Sequence, residues 1–590
     1  MDKNLYSNPF SGINAAQLND QDILDYWCDP FPYKLFSGVK ESDIFKDPNN
    51  IVLMGGRSTG KTMFLRYWSF PVQLKLAVKL KREQKISIID YFKKKGGIGF
   101  YIRIDGPVLR SFKGFGISAE KWNSVFTHYF ELIIARNYLE ILKVLIDLEE
   151  ISEDEINKVL VPKIASLIED NSLTKFEEIL FFIDERIREV DIYRGNVPFY
   201  NNEFKPHKGF ASQALSFEIP YLLKKFVNQF HDKLKFIIFI DEYENFLEDQ
   251  QRVINTMLRF SKDFIKFRIG MRLEGFRTFN MISEDDFIKE GREYRKVMLE
   301  EITDKEKGYT DFLKEISRKR LCSVQLFLNS GKINIIDFLQ SSEDLENEAC
   351  ILAANYPDKH FEYFKKLLDP RAVSLLRYKK NPLLELLNIL WVLRGNKPED
   401  TQKAMNGYLH GEFTKPLVSK YRRDYVDKYK LSLMFLLCSI YRKNKKYYSF
   451  NTYSYLSSGI VGHFIELCRR AFQYAEFENK EISLQKLVIS EDQQTKAALD
   501  YSESELQQLI RIEEYGGYIY KFINNIGNIF RDFHKDEKIR YPETNQFSTD
   551  YNMIAQNEYN ESFKTAIRWS AIQRKAKIQQ TGPGKHLKDI

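Results

Sequence analysis

The stretch Asn50-Ile-Val-Leu-Met-Gly-Gly-Arg-Ser-Thr-Gly-Lys-Thr62 decides the fold of this 590-residue chain. The apolar run 51–54 reads as a buried strand, and the apolar-periodic segment 63–68 that follows the glycines reads as a helix. The glycine loop between them fits the pattern G-x-x-x-x-G-K-[ST], the P-loop. In such a loop, backbone N–H groups and a helix N-terminus converge on phosphate groups. The sequence therefore predicts a phosphate-binding loop between a strand and a helix.

Two residues of the loop have specific expected tasks. Lys61 is expected to reach the β and γ phosphates, and the Thr62 hydroxyl is expected to ligate Mg²⁺. The predicted nucleotide-contacting residues are Gly55, Gly56, Arg57, Ser58, Thr59, Gly60, Lys61, Thr62 and Met63.

A second apolar run, 236–240, ends in the carboxylates Asp241 and Glu242. A continuous apolar run suits a parallel strand that is buried on both faces. Next to a P-loop, Asp241 is expected to hold Mg²⁺, and Glu242 to orient or deprotonate the attacking water. The alternative is a core strand that ends in surface acids.

A third strand candidate, 267–271, ends at Arg272. Its polar end should lie beside the P-loop, where an arginine can contact the γ phosphate. A structural salt bridge with Glu242 or Glu274 is the alternative. Arg272 joins Lys61 and Glu242 as a predicted catalytic residue.

Composition excludes several other classes of protein. The five cysteines are far apart and lack the spacing of a disulfide framework or a zinc site. The N-terminus lacks a signal-peptide pattern, and the longest apolar stretch, 431–441, is too short to span a bilayer. We expect a cytoplasmic protein without membrane insertion. The net charge of +7 permits anionic partners but does not require them.

These motifs resemble the ORC/CDC6-like family of AAA+ ATPases, in its bacterial and mobile-element branch. The resemblance covers most of the chain and rests on GGRSTGKTMFLRY (55–67), FIDEYENF (239–246), FRIGMRLEG (267–275) and LSSGIVGHFIELCRRAF (456–472). It implies an αβα sandwich with a parallel sheet, a helical lid, and ATP hydrolysis with Mg²⁺. It also implies a homo-oligomer or a complex with an effector protein, action on DNA or a partner protein, and a role in antiviral defence.

Two arginine positions of the family need comment. The lid arginine that senses nucleotide in relatives corresponds to Gly462 here. Arg469 or Arg470, one or two turns onward, either substitutes for it or faces solvent, and neither is carried over as a site residue. The arginine that relatives insert into a neighbouring subunit's site corresponds to Arg292, with Arg295 as runner-up. The alternative for Arg292 and Arg295 is a solvated charged loop.

The predicted organisation has four parts. These are an N-terminal segment (1–49), a P-loop ATPase core (50–302), a helical lid with inserted helices (303–478) and a winged-helix-like region (479–590). A break in the helical lid is expected at Gly395-Asn-Lys-Pro398. In the last region, the segment 538–541 followed by a helix over 561–577 is compatible with a winged helix. Relatives continue past the tail 581–590, so a truncated wing is expected.

Three basic clusters are candidates for DNA contact. They are Lys420–Arg423 with Lys428–Lys430, Tyr441–Tyr448, and the group Arg568, Arg574, Lys575 and Lys577. Cations can hold phosphates while aromatic rings stack on bases. The alternative is a solvated helix face.

Two functions follow from these patterns. The first is an ATP-hydrolysing, oligomeric switch. The second is a nucleotide-gated binding module or scaffold with little or no turnover, which the missing lid arginine favours. A small-molecule kinase ranks last, because the adjacent Asp241-Glu242 pair and the large helical C-terminal half fit it poorly.

Overall fold

The computed structural model of the protein describes most of the chain. The described residues are 8–12, 14–33, 40–199, 204–205, 214–230, 234–283, 285–299, 306–341, 344–478, 487–535, 547 and 559–573. They divide into two compact units. The first comprises 1–329, 457–465 and 568–570, and the second comprises 330–456, 466–567 and 571–590. The four-part organisation stays a prediction.

A five-stranded parallel sheet forms the centre of the first unit. Its strands are β1 (Asn50–Met54), β2 (Gly97–Ile102), β3 (Lys235–Ile240), β4 (Ile265–Met271) and β5 (Tyr294–Met298), in the order β2-β3-β4-β1-β5. Every neighbouring pair is parallel. The carboxyl ends of all strands therefore share one edge, as expected for a P-loop fold. The α/β prediction is confirmed.

Helices cover both faces of this sheet. On one face, Phe64, Leu65 and Trp68 pack with Ile237 and Phe239. On the other face, Tyr138 contacts Phe100 and Phe236 edge to face. Because successive side chains of a strand point to opposite faces, β3 supplies residues to both layers. This arrangement is why β1 and β3 are apolar almost throughout.

The described helices begin and end as follows. In the first unit they are Asp20–Tyr26, Asp43–Lys46, Lys61–Tyr67, Phe70–Gln84, Ile88–Lys95, Gly106–Arg110, Ala119–Asp147, Glu153–Val159, Val161–Leu167, Phe176–Asn196, Ala214–Phe226, Glu248–Arg259, Glu306–Cys322 and Gln325–Ser330. In or entering the second unit they are Leu345–Ala353, Lys359–Phe364, Pro370–Leu376, Pro382–Leu393, Pro398–Leu409, Pro416–Arg422, Lys430–Tyr441, Phe450–Leu456, Val461–Glu478, Glu491–Leu509, Gly516–His534 and Tyr559–Arg568. None of these helices is long and apolar enough to cross a bilayer.

The second unit is helical around its own apolar core. Trp391, Tyr421 and Tyr425 are buried there with many leucines. Prolines begin several of its helices, because the first helical position needs no backbone N–H donor. The predicted break at Gly395-Asn-Lys-Pro398 is confirmed, since one helix ends at Leu393 and the next begins at Pro398.

The C-terminal prediction needs one correction. The helix predicted over 561–577 ends at Arg568, and a turn follows at Trp569 and Ser570. The described residues between 487 and 573 contain helices but no strand longer than an isolated bridge at Ile489. The segment 538–541 lies outside the described residues, as do Arg574, Lys575, Lys577 and the tail 581–590. The winged helix stays a prediction.

Candidate functional site

The P-loop leaves the carboxyl end of β1 in a tightly constrained path. The Gly55 N–H donates to the Met271 carbonyl at the end of β4 (3.3 Å). A Cβ at Gly55 would lie 2.8 Å from Thr59 Oγ1, so only glycine fits there. Ser58 (φ 64°) and Gly60 (φ 101°) are both left-handed, a conformation that costs a side-chain-bearing residue energy. The loop then enters the helix Lys61–Tyr67.

Lys61 is buried under this loop. Its Nζ donates to the carbonyl oxygens of Gly55 (2.7 Å) and Gly56 (2.6 Å). The Thr59 hydroxyl also donates to the Gly56 carbonyl (3.0 Å). The ammonium group is therefore held inside the curve of the loop, where the predicted phosphates would lie.

The Thr62 hydroxyl and the Asp241 carboxylate lie side by side. Thr62 Oγ1 donates to Asp241 Oδ2 over 2.7 Å, and the Tyr101 hydroxyl donates to the same oxygen over 2.8 Å. Burial and then the charge of Asp241 raise the pKa of Tyr101, so its phenol keeps its proton. A hydroxyl and a carboxylate oxygen are donors that Mg²⁺ prefers. The two predicted metal ligands therefore fit this ion.

Glu242 is fixed in position by two neighbours. Its backbone is left-handed (φ 53°, ψ 42°), which turns the chain sharply after β3. One carboxylate oxygen is 3.2 Å from an Arg103 nitrogen, and the other accepts a hydrogen bond from Asn245 Nδ2 (2.9 Å). Sequence reasoning missed Arg103. Its only signal was its place just after β2, at the carboxyl edge that carries the other site residues.

Arg272 pairs with an acid that the sequence analysis did not name. Its Nε lies 3.0 Å from Glu244 Oε1, and its backbone N–H donates to Glu244 Oε2 (3.1 Å). Burial raises the pKa of Glu244, and the charge of Arg272 opposes this rise. The alternatives Glu242 and Glu274 are thus corrected to Glu244, which a tight turn brings back to the end of β4. The guanidinium also stacks on the Trp569 ring (4.7 Å).

The lid glycine contacts the P-loop directly. The Gly462 N–H donates to the Ser58 carbonyl over 3.0 Å, and a Cβ at Gly462 would lie 2.4 Å from Ser58 Cβ. A larger residue here requires the helix Val461–Glu478 or the loop to move. Burial and the charge of Arg57 lower the pKa of the next residue, His463, to about 4. Arg469 and Arg470 both pair with Glu466 on their own helix.

The two candidates for an arginine acting on a neighbouring subunit differ in their surroundings. Arg292 is exposed and lies 3.3 Å from Glu293, just before β5. Arg295 lies within β5 rather than before it and pairs with Asp47 (2.6 Å). Because the strands are parallel, the start of β5 is at the edge opposite the P-loop. Arg292 is therefore remote from this chain's own site.

Many cations of the basic clusters have acidic partners within the second unit. Lys430 lies 2.9 Å from Glu346 and Lys445 lies 2.7 Å from Glu348. Lys446 lies 3.1 Å from Asp492, and Lys428 lies 3.6 Å from Asp424. These pairs reduce the charge that the clusters present to an external phosphate.

Comparison with known proteins identifies one family. No curated protein and no solved structure matches the chain. The sequence does match the ORC-CDC6-like family over residues 8–586, a span that includes the whole sheet, the P-loop, the acidic strand end and the helix that carries Gly462. By this match over nearly its full length, the chain belongs to the ORC-CDC6-like family.

Proposed function

We propose that this chain binds ATP with Mg²⁺ at the carboxyl edge of β1, β3 and β4 and hydrolyses it as an AAA+ switch. The observation that carries the proposal is the 2.7 Å contact between Thr62 Oγ1 and Asp241 Oδ2, directly below the P-loop. A sequence separation of 179 residues makes this convergence a property of the fold. Hydroxyl, carboxylate and ammonium groups then surround one small volume.

The loop supplies the binding chemistry. Backbone N–H groups at the start of the helix Lys61–Tyr67 face the phosphates, and the helix dipole adds positive potential there. Lys61 exchanges its carbonyl partners in the loop for phosphate oxygens, which are stronger, charged acceptors. Thr62 and Asp241 hold Mg²⁺, which neutralises charge on the phosphates when it is bound.

Glu242 is the group that acts on the attacking water. Its carboxylate follows Asp241 directly at the strand end, and its left-handed backbone turns the chain sharply after β3. A carboxylate within hydrogen-bond reach of water orients it and accepts its proton. Arg272 stabilises negative charge on the γ phosphate from the end of β4.

The partners are part of the same proposal. Arg292 is exposed at the opposite edge of the sheet, where it can enter the site of a neighbouring subunit in an oligomer. Binding at such a boundary couples nucleotide state to assembly, to an effector protein or to DNA. A role in antiviral defence rests on family resemblance alone, and plating of phage on cells with and without the gene tests it.

One observation favours the second candidate, a nucleotide-gated module with little turnover. Arg103 and Asn245 contact both oxygens of the Glu242 carboxylate, so an attacking water has to share an oxygen with one of them. A glycine at the lid position also leaves that helix without the sensing cation of relatives. Both features slow hydrolysis without weakening binding.

Phosphate release and mass photometry separate the two candidates. Wild type and Glu242→Gln are compared with ATP and Mg²⁺, with and without duplex DNA. A switch predicts that wild-type turnover is lost in the variant and that the variant accumulates larger particles with ATP. Stimulation by DNA would identify the partner.

The matched control is Glu83→Gln, a surface carboxylate with 54% side-chain exposure in the first unit. It should behave as wild type in both assays. Tight ATP binding without turnover in wild type, under every condition, would overturn hydrolysis and leave the gated module.

A further inference from the structure

Three residues near the C-terminus contact both loops that carry the site's arginines. Arg568 ends the helix Tyr559–Arg568, Trp569 and Ser570 follow it, and all three belong to the same compact unit as the sheet. The centroid of the Trp569 ring is 4.7 Å from Arg272 Cζ and 5.6 Å from Arg57 Cζ. Both distances are within the range of cation–π attraction. One indole thus links the P-loop to the loop after β4.

Two hydrogen bonds anchor the same tripeptide. The backbone N–H of Arg57 donates to Ser570 Oγ (3.1 Å), and the Arg568 guanidinium donates to the Glu274 carbonyl (3.2 Å). The first joins residues 513 positions apart, so this contact is tertiary and not a consequence of local chain geometry. Each bond engages a different loop, so the residue before Trp569 and the residue after it are both anchored.

The contacted groups are those that a triphosphate needs. Arg57 belongs to the loop that wraps the phosphates, and Arg272 stands at the end of β4 beside the acidic strand end. A γ phosphate is a charged acceptor for guanidinium groups and binds them more strongly than the face of an indole does. ATP and Trp569 therefore compete for the same two cations. ADP has no γ phosphate and competes less.

The segment is also held against a repulsion. The positive charge of Arg568 acts on Arg277, whose pKa is lowered first by its burial and then by that charge. Arg277 is tied to the end of the acidic strand, because its guanidinium donates to the Glu244 carbonyl (3.3 Å). Like charges in proximity offset part of the attraction at Trp569. A contact of this kind holds the segment in place and still permits a ligand to displace it.

We propose that Arg568–Ser570 is a built-in gate on the γ-phosphate end of the nucleotide site, in which Trp569 covers Arg57 and Arg272 until ATP takes these cations. The gate rests on the proposed function, because it requires ATP to bind at the P-loop. ATP releases the segment, whereas ADP leaves it in place. By linkage, any partner that draws the segment away raises the affinity for ATP by the same factor that ATP raises affinity for that partner.

The first test compares Trp569→Ala with wild type by calorimetric titration of a non-hydrolysable ATP analogue and of ADP, each with Mg²⁺. The dissociation constant of the analogue is expected to fall about 5- to 30-fold, from the loss of two competing cation–π contacts. The dissociation constant of ADP should stay within about 2-fold of the wild-type value. The control is Tyr518→Ala, which removes an aromatic ring that is 71% exposed and should change neither dissociation constant. Equal changes for both nucleotides, or none, would overturn the gate.

A second readout needs only wild type and the conservative variant Trp569→Phe, so it holds even if Trp569→Ala fails to fold. The chain has five tryptophans, and the emission of Trp569 is the difference between wild type and Trp569→Phe. Acrylamide should quench this difference emission more with the ATP analogue than with ADP or without nucleotide. The same quenching in all three states would refute the gate.

Lys61→Ala distinguishes failure of the gate from failure of the proposed function. If this variant binds the analogue as tightly as wild type, the nucleotide is not at the P-loop and the proposed function fails. If binding requires Lys61 but the ATP-to-ADP preference of Trp569→Ala equals that of wild type, the gate alone fails.

Discussion

Replacing Gly462 with alanine should weaken nucleotide binding although the residue is outside the P-loop. The Gly462 N–H donates to the Ser58 carbonyl over 3.0 Å. An added Cβ would lie 2.4 Å from Ser58 Cβ and 3.1 Å from the Ser58 oxygen. Carbon atoms normally stay about 3.5–4.0 Å apart, so the helix and the loop must separate by about 1 Å. The hydrogen bond is then lost.

The cost can be worked from these contacts. Overpacking costs about 1–3 kcal/mol, and the lost hydrogen bond adds about 1 kcal/mol. Ser58 already has a left-handed backbone, which limits how the loop can yield. The variant relieves the clash by displacing the loop, and ATP binding must return the loop to its phosphate-binding path. A cost of about 2 kcal/mol for this return appears as a roughly 30-fold rise in the dissociation constant for ATP.

Titration of ATP into Gly462→Ala measures this effect directly, and Gly527→Ala is the matched control. Gly527 lies inside the helix Gly516–His534, and an added Cβ there meets nothing within 4 Å. That change should stabilise the helix by about 0.5–1 kcal/mol and leave ATP affinity unchanged. Wild-type affinity in Gly462→Ala would refute the close approach between helix and loop.

Three further outcomes are expected. Burial lowers the pKa of His463 to about 4, so below pH 6.5 the unfolded chain binds a proton that the folded chain does not, and stability falls as the pH drops toward 4. His463→Gln should flatten the dependence of the melting temperature on pH over that window, and an unchanged dependence would contradict this prediction. Arg268 is fully buried and donates to the carbonyls of Ile44 and Asn49 (each 2.8 Å). Arg268→Met should therefore destabilise the sheet by about 3–5 kcal/mol. Proteolysis at increasing urea concentration measures this: the variant should be cleaved at a lower concentration than wild type, and equal resistance would contradict the prediction. Arg103→Ala frees one Glu242 oxygen and should raise phosphate release about 2- to 5-fold, whereas a fall in turnover would show that Arg103 assists hydrolysis.

The strands and the two site motifs could be predicted because their signals are local. The run 51–54 is apolar since β1 is buried on both faces, and the same holds for 236–240 in β3. Glycines mark the loop because a Cβ at Gly55 meets Thr59 and Gly60 has a left-handed backbone. A few adjacent residues therefore carry the information that places Lys61 at the carboxyl edge.

The rest of the site depends on contacts between distant segments. Arg103 meets Glu242 only because β2 and β3 are neighbours in the sheet, and Trp569 meets Arg57 across nearly the whole chain. Neither pairing has a pattern in the sequence. The sequence shows that Gly462 departs from the arginine of relatives. Its physical reason is the close approach to Ser58, a tertiary contact that has no pattern in the sequence.

The central claim is that Lys61 and its loop form an ATP site, and calorimetric titration of ATP with Mg²⁺ into wild type and Lys61→Ala tests it most directly. Lys79→Ala is the control, since Lys79 is a surface lysine with 68% side-chain exposure in the next helix. The account predicts that wild type and Lys79→Ala bind ATP equally and that Lys61→Ala loses binding by at least about 100-fold, since charge-assisted contacts are each worth roughly 1.5–3 kcal/mol. Equal ATP affinity in all three proteins would contradict it.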